Sequence, residues 1–212
     1  MTLDGKIAAK SGDSRISCEE DLLRVHHLRA SVDAIMVGIE TILNDDPRLT
    51  VHRVRGRNPM RVILDSKART PLKARVLTKS DGDRVLIAVT RNAPAENVDA
   101  LRSAGAEVAV TESTDKVDLP SLMHTLHEKG VEKVLVEGGG TTNWSLLRLN
   151  LADEIRVAVA PIITGGKDAT TLVEGEGFQR IVDGINLTLQ CIEQYGQDLV
   201  LTYRVTKQED AR

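Results

Sequence analysis

The stretch Ala34-Ile35-Met36-Val37-Gly38-Ile39-Glu40-Thr41-Ile42-Leu43-Asn44-Asp45-Asp46-Pro47-Arg48-Leu49-Thr50-Val51 decides how the chain folds. Its first four residues form an unbroken apolar run, the pattern of a strand buried on both faces. A glycine turn, one short helical turn, two adjacent carboxylates and a proline follow, then Arg48, Thr50 and, one residue further, His52. In open α/β sheets ligands collect past the carboxyl ends of strands, so this density of polar groups points to a ligand site. Taken alone, Asn44-Asp45-Asp46-Pro47 reads as a turn, because Asn, Asp and Pro are turn formers. The rest of the chain decides whether it is more.

Upstream, residues 1–18 are polar and turn-rich, with Ile7-Ala8-Ala9 as a short helical or extended piece. Ser17 before Glu19-Glu20-Asp21 marks a helix start, a capping hydroxyl with acids in the first turn. Leucines and valine at helical spacing carry that helix from about 19 to 30. Downstream, Met60–Asp65, Val85–Val89, Glu107–Val110, Lys133–Val136 and Glu154–Ala160 read as strands. Ala95–Ala104 reads as a helix closed by Gly105. Leu119–Lys129 reads as another, with Pro120 in its first turn and Gly130 past its end, and a third spans about Thr142 to Leu149. Leu187–Gln194 and Leu199–Val205 pair as a hairpin across Tyr195–Asp198.

Strands alternating with helices predict an α/β fold, a mostly parallel sheet with helices on both faces. The terminal hairpin adds antiparallel strands, so the sheet is mixed. No linker or repeat divides the chain, so residues 1–212 read as a single domain with a frayed polar tail over 207–212.

The composition excludes several classes. Net charge is −3, with 41% hydrophobic and 28% charged residues, the balance of a soluble globular protein. There is no basic block and only 2% aromatic content, which argues against a nucleic-acid partner. No apolar run is long enough to span a membrane, and the first residues carry no signal-peptide core, so the cytoplasm is the expected location. Cys18 and Cys191 have no metal-ligand spacing, the five histidines form no zinc pattern, and no metal site is expected. His26, His27, His124 and His127 fall in helical patterns and read as surface or boundary residues.

Three glycine-bearing loops add to the opening stretch. Glu137-Gly138-Gly139-Gly140-Thr141-Thr142-Asn143-Trp144 joins a buried strand to a helix, where backbone N–H groups and the helix amino end suit a pyrophosphate. It is neither G-x-G-x-x-G nor a P-loop. Glu137 itself suits a base edge or a sugar hydroxyl better than a phosphate. Pro161–Lys167 is a second glycine turn and Thr2–Lys6 a third, and the second is expected to cover one side of the same cleft. Arg15, Arg29, Arg48, Lys67 and Arg69 are the cationic candidates, since guanidinium groups take phosphate bidentately.

Seven of these segments occur in the order of one family. They are Leu3-Asp4-Gly5-Lys6, Asp13–Ser17, Gly38–Thr41, Asp45–Thr50, Val62–Ser66, Glu137–Gly140 and Ala160-Pro161 through Gly165-Gly166. The chain resembles the reductases of riboflavin biosynthesis over nearly its whole length. It is most similar to their stand-alone archaeal and fungal type, and also to the second domain of the bacterial deaminase–reductase. No deaminase signature is present. The resemblance implies a dihydrofolate-reductase-like fold, NADPH as hydride donor (with NADH left open) and a homodimer. It also implies reduction of a ribosylamino group to a ribitylamino group at the anomeric carbon of the ring-opened imine, on a pyrimidine 5′-phosphate.

Carried over by position, the resemblance places Thr41 and Asp45 near the nicotinamide and its ribose. It puts Ser66 near the 2′-phosphate, with Lys67 or Arg69 adding charge, and Gly138, Gly139, Gly140, Thr141, Thr142, Asn143 and Trp144 at the pyrophosphate. Ser14, Arg29, Leu49, His52 and Glu137 fall on the substrate side, where Arg48 can compensate for a histidine standing in place of the family's usual arginine. Asp45 and Glu137 are the expected catalytic carboxylates. The family also has a strand before Leu3-Asp4-Gly5-Lys6, so the natural chain is expected to start upstream of Met1. Two other readings stay open: a dihydrofolate-reductase-like enzyme acting on a pterin, and a non-catalytic nucleotide-binding module. Whether the substrate is met before or after deamination is also open.

Overall fold

The computed structural model describes residues 1–78 and 82–207. These fall into two compact units, Val25–Gly139 on one hand and Met1–Arg24 with Gly140–Arg212 on the other.

Val25–Gly139 is built on five parallel strands: β1 Ala34–Gly38, β2 Met60–Leu64, β3 Val85–Thr90, β4 Glu107–Thr111 and β5 Val134–Val136. Parallel neighbours need long crossovers. Helix α3, Ala95–Ser103, lies between β3 and β4, and α4, Leu119–Glu128, lies between β4 and β5. α4 begins as its sequence predicts, with the Asp118 carboxylate accepting the Ser121 N–H and Pro120 in the first turn. The unbroken apolar run is buried as expected: Ala34 to Val37 have no exposed surface, nor do Leu86 to Val89 of β3. Ile35, Val37, Ile63, Ile87 and Val89 pack with Leu101 of α3 into the core of this unit. Each such side chain adds about 1.5–3 kcal/mol when fully buried, and this fixes the sheet from which the site projects.

The other unit carries an antiparallel sheet of order β6-β8-β7, with β6 Glu154–Val159, β7 Leu187–Tyr195 and β8 Asp198–Val205. The predicted hairpin is there, turning at Gly196, whose φ of 57° is left-handed. The α/β class holds, but the antiparallel strands form a sheet of their own and do not extend the parallel one. The cause is β6, which pairs antiparallel with β8 from Glu154↔Arg204 to Val159↔Leu199. Strand direction leaves no mark in composition.

Several local expectations are corrected. Cys18, not Ser17, stands at the start of α1 (Glu19–Ala30), since its carbonyl accepts the Leu22 N–H. Its own N–H goes to the Asp198 carboxylate at 2.8 Å. Helix α5 runs Gly140–Arg148, starting two residues and ending one residue earlier than expected. Ile7–Ala9 is irregular. In the expected tail Lys207 is anchored, its ammonium donating to the Asn150 and Ala152 carbonyls, while 208–212 lie outside the described residues. No helix is long and apolar enough to cross a membrane.

Candidate active site

The strand order of the parallel sheet is β4-β3-β2-β1-β5. From β1 the chain lays β2, β3 and β4 successively to one side, then places β5 on the other. Beyond the carboxyl ends of β1 and β5 the connections part, which is where an open α/β sheet holds its ligand. The segment after β1 is helix α2, Ile39–Asp45, and the segment after β5 is Glu137-Gly138-Gly139. These are two of the sequence-predicted site segments, and the fold brings them to one end of the sheet.

The Glu137 N–H still bonds the Met36 carbonyl at 3.0 Å, so its side chain leaves just past the sheet end. Its carboxylate forms a bidentate pair with Arg29, Nε to Oε1 at 2.6 Å and Nη2 to Oε2 at 2.5 Å. Both side chains are largely buried, at 15% and 18% exposure, so the pair is a fixed structure and not a solvated contact. The remaining Arg29 nitrogen, Nη1, donates to the Thr50 carbonyl at 3.2 Å.

That bond is the first of three that hold consecutive residues. The Val51 N–H donates to Asn58 Oδ1 at 2.8 Å, and the His52 N–H to His26 Nδ1 at 3.4 Å. The two imidazoles meet edge to face, 4.2 Å between centroids. His26 is buried, against expectation, and its pKa is lowered to about 4. Burial is the largest cause, followed by the positive charges of Arg29, His52 and Arg53. His52 itself is exposed.

Of Asn44-Asp45-Asp46-Pro47, which reads as a turn, the first two residues belong to the last turn of α2 and the chain turns only at Asp46. Asp46 ends α2 in the left-handed conformation, φ 40° and ψ 55°, its N–H bonded to the Ile42 carbonyl. The Asp46 carboxylate accepts the Arg75 N–H at 2.7 Å and so ties a 3₁₀ turn, Arg75–Leu77, to the end of α2. Leu49, almost fully buried, has φ 54°, a strained position for a non-glycine residue. Between these groups opens a cavity of about 500 Å³ lined by Arg29, Pro47, Arg48, Leu49, His52 and Arg75. Four predicted substrate-side residues thus meet in one pocket. Arg75 and the anchors His26 and Asn58 were not predicted, because their roles come from contacts distant in sequence.

Asp45 is exposed, yet partial desolvation by the surrounding protein raises its pKa. Thr41 is half-buried in α2. Ser66 lies just past β2, its carbonyl taking the Thr90 N–H and hydroxyl. Lys67 is exposed there, and Arg69 is ion-paired with Glu40 at 2.6 Å. Gly138 and Gly139 have φ of 107° and 92°, and a Cβ on Gly138 would meet nothing within 4 Å. Their N–H groups have no partner among the described residues. Two left-handed glycines with free N–H groups, the first of them in open space, fit a phosphate-bearing cofactor.

In the other unit, Ser14 is exposed beside the Asp13–Arg15 ion pair. Gly140, Thr141 and Thr142 open α5, and Gly140 cannot take a side chain, since its Cβ would stand 2.7 Å from the Thr171 carbonyl. Asn143 donates to the Leu172 carbonyl at 2.8 Å, and Trp144 is buried edge-on against Phe178. The two other glycine turns meet: the Asp4 carboxylate accepts the Thr164 and Gly165 N–H groups and the Thr2 hydroxyl. The Thr2 bond, then the Thr164 bond, contribute most to holding the Asp4 pKa down at about 2. No cluster of metal-ligating side chains occurs among the described residues.

The family profile described as the RibD C-terminal domain matches residues 1–201. A protein of Methanothermobacter thermautotrophicus named 2,5-diamino-6-ribosylamino-4(3H)-pyrimidinone 5′-phosphate reductase is 53% identical over 208 residues, 97% of this chain and 94% of that protein. One of Archaeoglobus fulgidus with the same name is 45% identical over 217 residues, 97% of this chain and 95% of that protein. Among solved structures, RibD of Acinetobacter baumannii superposes with a TM-score of 0.81 at 28% identity. The match covers 97% of this chain and 55% of that one.

Proposed function

This chain belongs to the RibD C-terminal domain family, and from that premise we infer that it is a reductase of riboflavin biosynthesis. Its substrate is a ribosylaminopyrimidine 5′-phosphate, reduced to the ribitylamino compound, as the names of its relatives describe for them. The family profile runs across both compact units, which supports reading residues 1–212 as one reductase domain.

The observation that carries the substrate class is the pocket walled by Arg29, Arg48, His52 and Arg75. Such a cationic wall suits a phosphate and has no use for an unphosphorylated pterin. NADPH supplies the hydride, delivered to the anomeric carbon of the open-chain imine. Gly138 and Gly139 offer free N–H groups to its phosphates, and Thr41, Asp45 and Ser66 line the carboxyl ends of β1 and β2 on the cofactor side. Thr141, Thr142, Asn143 and Trp144 follow these glycines in the chain and are the residues that the family resemblance assigns to the same cofactor.

The two carboxylates divide the work. Glu137 is fixed in direction by its bidentate pair with Arg29, and the remaining lone pairs of its carboxylate oxygens can accept hydrogen bonds from substrate hydroxyl or amino groups. Asp45, its pKa raised by desolvation, keeps a proton more readily than an ordinary aspartate. We assign it to hand that proton to the ring oxygen as the sugar opens and to steady the iminium that follows.

Mixing enzyme, NADPH and the ribosylaminopyrimidine phosphate should bleach the 340 nm absorbance. Cofactor binding without bleaching would turn the reading toward a nucleotide-binding module. Asp45→Asn should cut kcat about 100-fold with the melting temperature preserved, and unchanged turnover would remove Asp45 from the chemistry. The protein works as a cytoplasmic homodimer on this reading.

A further inference from the structure

In the cationic pocket the guanidinium that the sequence resemblance assigns to substrate, Arg29, is already engaged. Its Nε and one Nη2 proton grip Glu137, Nη1 grips Thr50, and Glu137 cancels its charge. The fork that would clasp a phosphate bidentately faces a carboxylate instead. The other two guanidinium groups of the cavity, Arg48 and Arg75, have no side-chain ion pair or hydrogen bond among the described residues. Both are anchored through the same residue. Arg48 follows Asp46 by two positions, and the Asp46 carboxylate holds the Arg75 N–H at 2.7 Å. The left-handed turn at Asp46 therefore sets both arginine backbones at the mouth of one cavity.

We propose that Arg75, paired with Arg48 through Asp46, is the specificity-determining residue for a phosphomonoester in this pocket, and that Arg29 serves as a positioning residue for Glu137 and the Thr50–His52 segment. The charge balance supports this. A phosphomonoester carries about −1.5 to −2 near pH 7. Arg29 with Glu137 sums to zero, whereas Arg48 and Arg75 carry two positive charges against the single Asp46 carboxylate, which bonds the Arg75 backbone and neither guanidinium. The proposal rests on the phosphorylated-substrate reading above. The cofactor's 2′-phosphate offers the same chemistry, and the experiment separates the two sources.

Arg75→Ala is an exposed substitution that leaves the Asp46 bond to the residue 75 N–H possible, so the variant should fold. We expect it to raise KM for the phosphorylated substrate about tenfold, the effect of losing one charge-assisted contact, with kcat changed less than twofold. Its preference for phosphorylated over dephosphorylated substrate should fall by the same factor. Asp46→Ala should show the same KM signature, and Asp46→Asn, which keeps an acceptor and tolerates the left-handed conformation, should restore it. An unchanged KM in Arg75→Ala overturns the proposal. A rise confined to KM for NADPH, and not NADH, overturns the assignment to substrate and gives the pocket to the cofactor. Should the wild-type enzyme not turn over the substrate at all, the functional reading fails separately. Calorimetric titration with inorganic phosphate then tests the pocket alone, saturable binding that is lost in Arg75→Ala supporting it and equal binding by both proteins overturning it.

Discussion

Accepting the His52 N–H requires His26 Nδ1 to be unprotonated, so His26 is neutral and carries its proton on Nε2. Burial and the surrounding positive charges give the same answer, lowering its pKa from 6.5 to about 4. The unfolded chain therefore binds a proton that the folded chain refuses between those values. Stability from this group is complete above about pH 6.5 and is lost as pH falls toward 4. Asp45, raised, works in the opposite sense, losing stability as pH rises past the ordinary carboxylate range. Asp4, lowered to about 2, loses its contribution only below its ordinary 3.8. The melting temperature should thus drop between pH 7 and pH 4.5, and His26→Gln, which keeps an acceptor but cannot titrate, should flatten that drop. Equal slopes in the two proteins would show that His26 is not the titrating group. Neither this role nor the Arg29–Glu137 pair was legible in the sequence. Position 26 follows a helical pattern that a surface histidine also fits, and Arg29 meets a partner 108 residues away.

The elements were more legible than their connections. β1 and β3 announced themselves as unbroken apolar runs, because a strand buried on both faces has no polar side to show. β2 announced itself despite Arg61, which is fully buried within it. That arginine is tolerated because Asp83 pairs with it at 3.0 Å and the Thr78 carbonyl accepts at 2.9 Å. Burial still presses its pKa down, and its Nε finds no hydrogen-bond partner. Removing one member of a buried pair leaves the other uncompensated, at a cost of about 3–5 kcal/mol. Asp83→Ala should lower the free energy of unfolding in urea by that amount. A loss below about 1 kcal/mol would mean that Arg61 finds another partner or reaches water. The segments 46–59 and 65–78, where the pocket wall is built, hold no periodic pattern. Their geometry comes from side-chain bonds such as Asp46 to Arg75 and Asn58 to Val51, which no local rule anticipates.

At the scale of the molecule, the class of fold was legible but the partition into sheets was not, since it depends on which strand meets the hairpin. The separate antiparallel sheet has a consequence for assembly. β7 is its edge strand, and no residue of β7 is buried. Leu187, Leu189 and Ile192 are exposed on it, the last at 58%, and the 3₁₀ turn Ile181–Asp183 presents Ile181 at 98% and Val182 at 77%. An apolar, uncovered edge strand is an association surface unless charge, proline or a bulge blunts it. The irregularity between Leu189 and Cys191 interrupts it only at one point. A twofold contact through this surface would bury the same residues on both copies at once, and this supports the homodimer proposed above. Light scattering on the purified protein should give twice the mass of 23.1 kDa. Leu189→Lys with Ile192→Lys, both exposed and so harmless to the single chain, should shift it to one copy while the far-ultraviolet dichroism is retained. A wild-type monomer, or a double variant that still pairs, would move the interface away from β7.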